Sequence, residues 1–186
     1  MKKNLLISLR LTIVLIILLG LAYPLLIAAV GKLTPGGGNG EKVVANGRVV
    51  GYKQIGQSFT GDRYFQGRPS AVNYNAAGSG GSNKGPSNPD YLQQVKDRID
   101  SFLIHNPAVQ RSEIPAELVT ASGSGLDPDI SPAGAYIQVK RVAAARQLPE
   151  TSVRQLVEKH IMKPMAGLAP ETINVLQLNI ALDQLK

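Results

Sequence analysis

The sequence predicts an α+β membrane protein, with a single N-terminal transmembrane helix followed by one small extracytoplasmic α+β domain. Three observations carry that expectation. The run from Leu11 to Gly31 contains no charged residue. The chain beyond residue 42 has about the length of one ordinary domain. That remainder mixes a hairpin pattern with amphipathic helical stripes, the signature of helices packed on a small sheet.

The anchor comes first. LTIVLIILLGLAYPLLIAAV is a twenty-residue apolar run, and at about 1.5 Å per residue it spans the roughly 30 Å of a bilayer core. A cleaved signal peptide is the competing reading, because Lys2 and Lys3 precede the run and Ala28 and Ala29 lie near its end. Signal cores are usually about 7 to 15 residues, so the length favours an anchor over residues 11–31. Pro24 lies inside the run and predicts a kink. Lys2, Lys3 and Arg10 before the span, against Lys32, Lys42 and Glu41 after it, predict a cytoplasmic N-terminus over residues 1–10 and a domain outside the cytoplasm.

Residues 32–42 read as a flexible tether, since Pro35, three consecutive glycines and Asn39-Gly40 supply no apolar face. The domain then covers residues 43–186. Val43-Val44-Ala45 and Arg48-Val49-Val50 flank Asn46-Gly47, the pair that most readily takes both positive φ angles of a type I′ hairpin turn. Tyr52 to Phe59 reads as a further extended piece, with Gly51 and Gly56 marking bulges or close backbone approach. Residues 67–89 are dominated by Gly, Ser, Asn and Pro and form a long loop.

Helical signals follow. Asn88, Pro89 and Asp90 start a helix whose apolar stripe is Leu92, Val95, Ile99, Phe102 and Leu103, and it stops before Pro107. Ser131-Pro132 starts a second, with Ala135, Val139, Val142 and Ala143 at helical spacing to about Gln147. A third runs from Glu150 to Ile161, with Val153, Leu156, Val157 and Ile161 inward. In the tail, apolar residues at 176, 178, 180 and 182 alternate with the period of a half-buried strand, and a helix fits there as well.

Charge and chemistry narrow the function. Of the formal net charge of +7, residues 1–42 hold five Lys/Arg against Glu41, a net of +4, and the remainder only +3. The excess flanks the anchor, there is no Trp, and nucleic-acid binding is not supported. The absence of cysteine removes disulfides, thiolate nucleophiles and Cys-ligated zinc, and two histidines show no metal-ligand spacing. Residues 78–87, GSGGSNKGPS, are not a P-loop, because no glycine directly precedes Lys84. Ser124 in Ala121-Ser122-Gly123-Ser124-Gly125, with Asp127 and His160, can be drawn as a triad, which makes a membrane-tethered extracytoplasmic serine hydrolase the alternative function. The spacing does not support it, since position 122 is serine where a nucleophile turn carries glycine. Asp127 and Asp129 read as turn residues, His160 as a packing residue and His105 as a helix-end cation. No catalytic, cofactor-binding or metal-binding residue is assigned.

A string of local motifs covers nearly the whole chain: Gly20-Leu21-Ala22-Tyr23-Pro24, Ile55-Gly56-Gln57-Ser58-Phe59, Gly67-Arg68-Pro69-Ser70-Ala71, Ser79-Gly80-Gly81-Ser82-Asn83 and Gly85-Pro86-Ser87-Asn88-Pro89. Val119 to Pro128, Arg141-Val142-Ala143 and Asn174-Val175-Leu176-Gln177-Leu178-Asn179 complete it. In these the chain resembles the C subunit of the bacterial Kdp-type high-affinity potassium-transporting P-type ATPase. It departs from that pattern at Lys84, where an apolar residue is common, and over residues 169–173.

The resemblance implies an accessory subunit of the bacterial inner membrane. Its implied partners are a channel-like potassium-translocating subunit, an ATP-hydrolysing P-type subunit and a very small membrane subunit. Potassium is then the transported ion. The resemblance also implies a chaperone-like raising of ATP affinity in the hydrolysing subunit, which from outside the membrane has to act through coupled conformational equilibria. The 67–89 loop is the leading contact with the potassium-translocating subunit, with Arg68, Asn73, Tyr74, Asn75, Ser82, Asn83, Lys84 and Asn88 as candidate contact residues.

Overall fold

A computed structural model describes residues 2–164 and 167–185, and the chain divides into two units, residues 1–42 and 43–186. In the first, one continuous helical stretch runs over Lys2–Gly31. It comprises α1 (Lys2–Leu15), a π-helical segment (Ile16–Ala22) and α2 (Tyr23–Gly31). The widened turns stand directly before Pro24, which has no N–H to donate and whose ring crowds the preceding turn. The register shift is visible where the Tyr23 N–H donates to the carbonyl of Leu18, five residues back. Residues 33–40 then form successive turns, among them Gly37 N–H to Thr34 O at 2.9 Å.

The second unit opens with the expected hairpin. β1 (Lys42–Ala45) and β2 (Arg48–Tyr52) form a two-stranded sheet of their own. Asn46 (φ 50°) and Gly47 (φ 74°) adopt the positive angles that the I′ turn demands. The extended piece expected to Phe59 is corrected: β2 ends at Tyr52 and turns follow. Gly56 donates to Leu126 O at 2.8 Å, and a Cβ there would stand 2.5 Å from the carbonyl oxygen of Asp127. The chain bends to make that backbone contact, as the glycine suggested.

α3 (Pro89–His105) starts where the sequence indicated, with the Asn88 side chain accepting from the Tyr91 N–H at 3.0 Å. Its stripe narrows toward the C-terminal end, because Phe102 is buried while Leu92 is exposed. The helix expected from Pro132 to about Gln147 is broken into α4 (Pro132–Tyr136) and α5 (Val139–Arg146). The cause is Gln138, whose side-chain amide donates to the Gly134 carbonyl at 2.9 Å, while its backbone N–H turns to Ala135 O. α5 closes on Gln147 in the left-handed conformation, with Leu148 N–H reaching Ala143 O at 3.0 Å, a Schellman cap. α6 (Glu150–Lys159) follows, with Val153 and Val157 fully buried.

The choice between strand and helix in the tail is decided for a helix. Only Ile173–Asn174 is extended, as β4, pairing antiparallel with β3 (Asp129–Ile130), and Val175–Gln184 is a helix, α7. Asn174 caps it by accepting from the Gln177 N–H at 3.1 Å. Burial of Val175, Leu178 and Leu182 at helical spacing outweighs the alternation. The core gathers these with Phe65, Phe102, Leu118, Ile130, Val139, Val142, Val153, Val157 and Ile173.

Residues 60–66 carry no regular element, yet Phe65 is fully buried and the backbone from Asp62 to Gln66 finds side-chain partners. Asn179 accepts from Phe65 N–H and donates to Phe65 O, both at 2.9 Å, replacing a β-bridge partner. Gln138 does the same for Gln66, at 2.8 and 3.1 Å. Arg141 donates to the carbonyls of Asp62 and Tyr64, to Asn106 Oδ1 and to Gln138 Oε1. Buried main-chain groups must find such partners, and here the α4–α5 junction, α5 and α7 provide them.

Candidate functional site

The 67–89 loop is held at its base by an ion pair. Arg68 Nη1 lies 2.9 Å from Asp127 Oδ2, and Asp127 Oδ1 accepts from the Asp129 N–H at 3.0 Å, so the aspartate ties loop to turn. Ser70 is the next tie. Its hydroxyl donates to Gly125 O at 2.6 Å and accepts from the N–H groups of Val72 and Tyr74 at 3.2 and 2.8 Å. The Tyr74 hydroxyl turns back onto the Arg68 carbonyl, and burial raises its pKa.

The two glycine-rich stretches that suggested a phosphate cradle and a nucleophile turn pack against each other. Gly80 N–H and Ser79 Oγ both donate to Ser124 O, at 2.8 and 2.9 Å, and Ser122 N–H donates to Pro69 O at 3.2 Å. A Cβ on Gly81 would stand 3.0 Å from Gly123 O. A Cβ on Gly125 (φ 69°) would stand 2.7 Å from both Gly80 O and Val72 Cγ2. The backbones approach so closely that only hydrogen atoms fit between them.

Three of the eight candidate contact residues thus hold the loop in shape: Arg68 and Tyr74 through these bonds, and Asn88 as the cap of α3. Asn73, Asn75, Ser82, Asn83 and Lys84 are exposed on its outer side. Asn73 and Asn83 take positive φ, and Asn75 Oδ1 accepts from the Ala77 N–H at 3.0 Å. Beside the loop base, an open cleft of about 540 Å³ is lined by Phe59, Gln66, Tyr74, Arg98 and His105. His105 stands at the C-terminal end of α3 as expected, with Nδ1 2.8 Å from Asp62 Oδ1.

The triad residues are not joined by any hydrogen bond among the described residues. Ser124 Oγ accepts from Leu126 N–H, Asp127 is engaged by Arg68, and His160 Nδ1 lies 2.8 Å from Leu156 O on its own helix. Among the described residues no group of three or more His, Asp or Glu is placed to hold a metal ion. Sequence reasoning passed over Gln138, Arg141 and Asn179, which position the segment leading into the loop. The sequence signals for them were polar residues interrupting apolar helical faces and, for Arg141 and Asn179, a place in the motifs that carry the resemblance.

Asp129 links this site to pH. Burial raises its carboxyl pKa above the ordinary 3.8, the Asn174 amide opposes the shift and the charge of Asp127 adds to it. The folded state therefore holds this proton more tightly than the unfolded chain does, so the contribution is full below the ordinary range and is lost as pH rises through the raised value. Asp129→Asn removes the titration. The Tm of the wild type minus that of the variant is expected to fall as pH rises across that window, and a difference that stays constant would contradict the assignment.

Comparison with known proteins fits this geometry into a group. A family described as "KdpC: K+-transporting ATPase, c chain" matches residues 5–184. The chain is 58% identical over 184 residues to the potassium-transporting ATPase KdpC subunit of Flavobacterium johnsoniae, covering 99% of this chain and 100% of the relative. It is 50% identical to the KdpC subunit of Bacteroides fragilis, over 99% and 98% of the two chains. To that of Caldanaerobacter subterraneus subsp. tengcongensis it is 48% identical, over 94% and 92%.

Proposed function

Because the chain belongs to the KdpC family of K+-transporting ATPase c chains, we propose that it is a non-catalytic accessory subunit of an ATP-driven, high-affinity potassium importer. The observation that carries this reading is the full-length match, which spans anchor, tether and domain alike. The 30-residue apolar helix supports membrane insertion. Its flanking Lys2, Lys3 and Arg10 support a cytoplasmic N-terminus and a domain outside the inner membrane.

The domain docks over the outer mouth of a channel-like potassium-translocating subunit, in a complex that also holds an ATP-hydrolysing P-type subunit and a very small membrane subunit. The interlocked loop presents Asn73, Asn75, Ser82, Asn83 and Lys84 outward, a rigid polar surface suited to such a contact. Any rise in ATP affinity of the hydrolysing subunit is transmitted through the shared conformational equilibrium of the complex, since ATP and this domain lie on opposite sides of the membrane.

The chain has no cysteine, so Lys84→Cys introduces a single thiol. In membranes a membrane-impermeant maleimide is expected to label it in right-side-out vesicles and not in inside-out ones, and to label it more slowly once the other subunits are co-expressed. Labelling only in inside-out vesicles would overturn the placement. An unchanged rate in the assembled complex would remove the loop from the contact. Cells lacking this chain are expected to fail at low external potassium and to recover when it is restored.

A further inference from the structure

The outer face of the β1–β2 hairpin is exposed among the described residues. Val43 and Ala45 are half-buried, so Lys42 and Val44 point the other way, and Val44 is 59% exposed. A two-residue turn sets Val44 opposite Val49, itself 55% exposed, which makes an apolar cross-strand pair facing outward. Lys42 shares that face, and Arg48 stands beside the turn. Neither side chain has an ion-pair partner among the described residues. Among the described residues no third strand joins the hairpin.

The covalent chain limits what this face can meet. Ten residues, 32–41, separate the anchor from the hairpin, a reach of at most about 35 Å when fully extended. A linker of that length keeps the face within reach of the bilayer that would hold the anchor, which favours a contact too weak to form between free partners. Exposed valines beside unpaired cations match the boundary of an anionic bilayer, where apolar side chains enter the headgroup layer and Lys/Arg meet lipid phosphates.

We propose that the Lys42/Val44/Val49 face of the hairpin, with Arg48 at its tip, docks on an anionic lipid surface. This rests on the anchor reading. Failure of that reading shows separately, as release of the whole chain from vesicles by alkaline carbonate.

The test uses the full chain carrying Val49→Cys labelled with NBD, reconstituted in phosphatidylcholine vesicles with or without phosphatidylglycerol. Spin-labelled lipid serves as a shallow quencher. Quenching at position 49 is expected to exceed that of the same label at Ser82→Cys by at least about twofold in the anionic vesicles. Lys42→Glu with Arg48→Glu is expected to abolish the excess, as is omission of phosphatidylglycerol. Equal quenching at 49 and 82 overturns the proposal. So does quenching indifferent to lipid charge and to the reversed side chains. In the assembled complex, a label at 49 that is shielded from water yet unreached by the lipid quencher assigns the face to a protein partner, and that also overturns it.

Discussion

Replacing Arg141 by leucine is expected to cost about 4 kcal/mol of stability, a large share of the roughly 5–15 kcal/mol that holds a domain folded. The guanidinium is buried, and that burial pulls its pKa below the ordinary value against the opposing pull of Asp62. It serves four acceptors from three parts of the chain: the carbonyls of Asp62 and Tyr64, Asn106 Oδ1 at 3.0 Å and Gln138 Oε1 at 2.7 Å. Leucine fills much of the space and takes the donor away from the carbonyls of Asp62 and Tyr64 and from Asn106 Oδ1, while Gln138 Oε1 keeps only the Gln66 N–H. Exchanging a whole buried polar cluster for apolar side chains is often tolerated, but removing one member leaves the others unpaired. Arg141→Lys keeps the charge without the fork, and a loss of about 3 kcal/mol is expected. Urea unfolding of the detergent-solubilised chain, followed by near-UV circular dichroism, reads both. A loss below about 1 kcal/mol for leucine would show that water enters and replaces the guanidinium.

Gly125→Ala is expected to cost about 3 kcal/mol and to free the 67–89 loop. The added methyl meets the Gly80 carbonyl oxygen and Val72 Cγ2, each at 2.7 Å, at a residue whose φ of 69° already disfavours any side chain. The loop and the 122–125 turn must part to admit it, breaking the bonds from Gly80 N–H and Ser79 Oγ to Ser124 O. Gly78→Ala is the control, because nothing lies within 4 Å of a Cβ there and its φ is not positive. Limited proteolysis is expected to cut the Gly125→Ala chain within 67–89 at least about tenfold faster than the wild type, with Gly78→Ala unchanged. Equal resistance of all three would mean that the interlock does not hold the loop.

The hairpin, the start of α3 and the inward face of α6 were legible because each is written in neighbouring residues. Asn46-Gly47 sets its own angles, Asn88 caps the N–H three residues on, and Val153 and Val157 repeat at one turn. The tail was ambiguous for a physical reason. Its apolar residues satisfy a period of two at 176, 178, 180 and 182, and a helical spacing at 175, 178 and 182. The Asn174 cap and the pull of Asn179 onto Phe65 decide between them. The break after α4 was illegible, since the Gln138 side chain that bonds the Gly134 carbonyl is itself held by Gln66, 72 residues away.

The site divides in the same way. That residues 67–89 form an irregular loop, and that Lys84 and its neighbours are polar and lack an apolar face, follows from composition alone. Which residues shape the loop and which remain exposed does not, because two glycine-rich stretches recognise each other through main-chain atoms that leave no side-chain pattern. By itself the sequence determined the apolar helix, the hairpin and most helix starts, which depend on residues within a few positions of one another, and the family, which rests on motifs along nearly the whole chain. Only the tertiary structure decided how Asn179, Gln138 and Arg141 clamp the irregular segment from Asp62 to Gln66, where the second helix breaks and how the loop closes on residues 122–125. Those choices are made by hydrogen bonds between groups far apart in the chain, whose partners exist only once the core has brought them together.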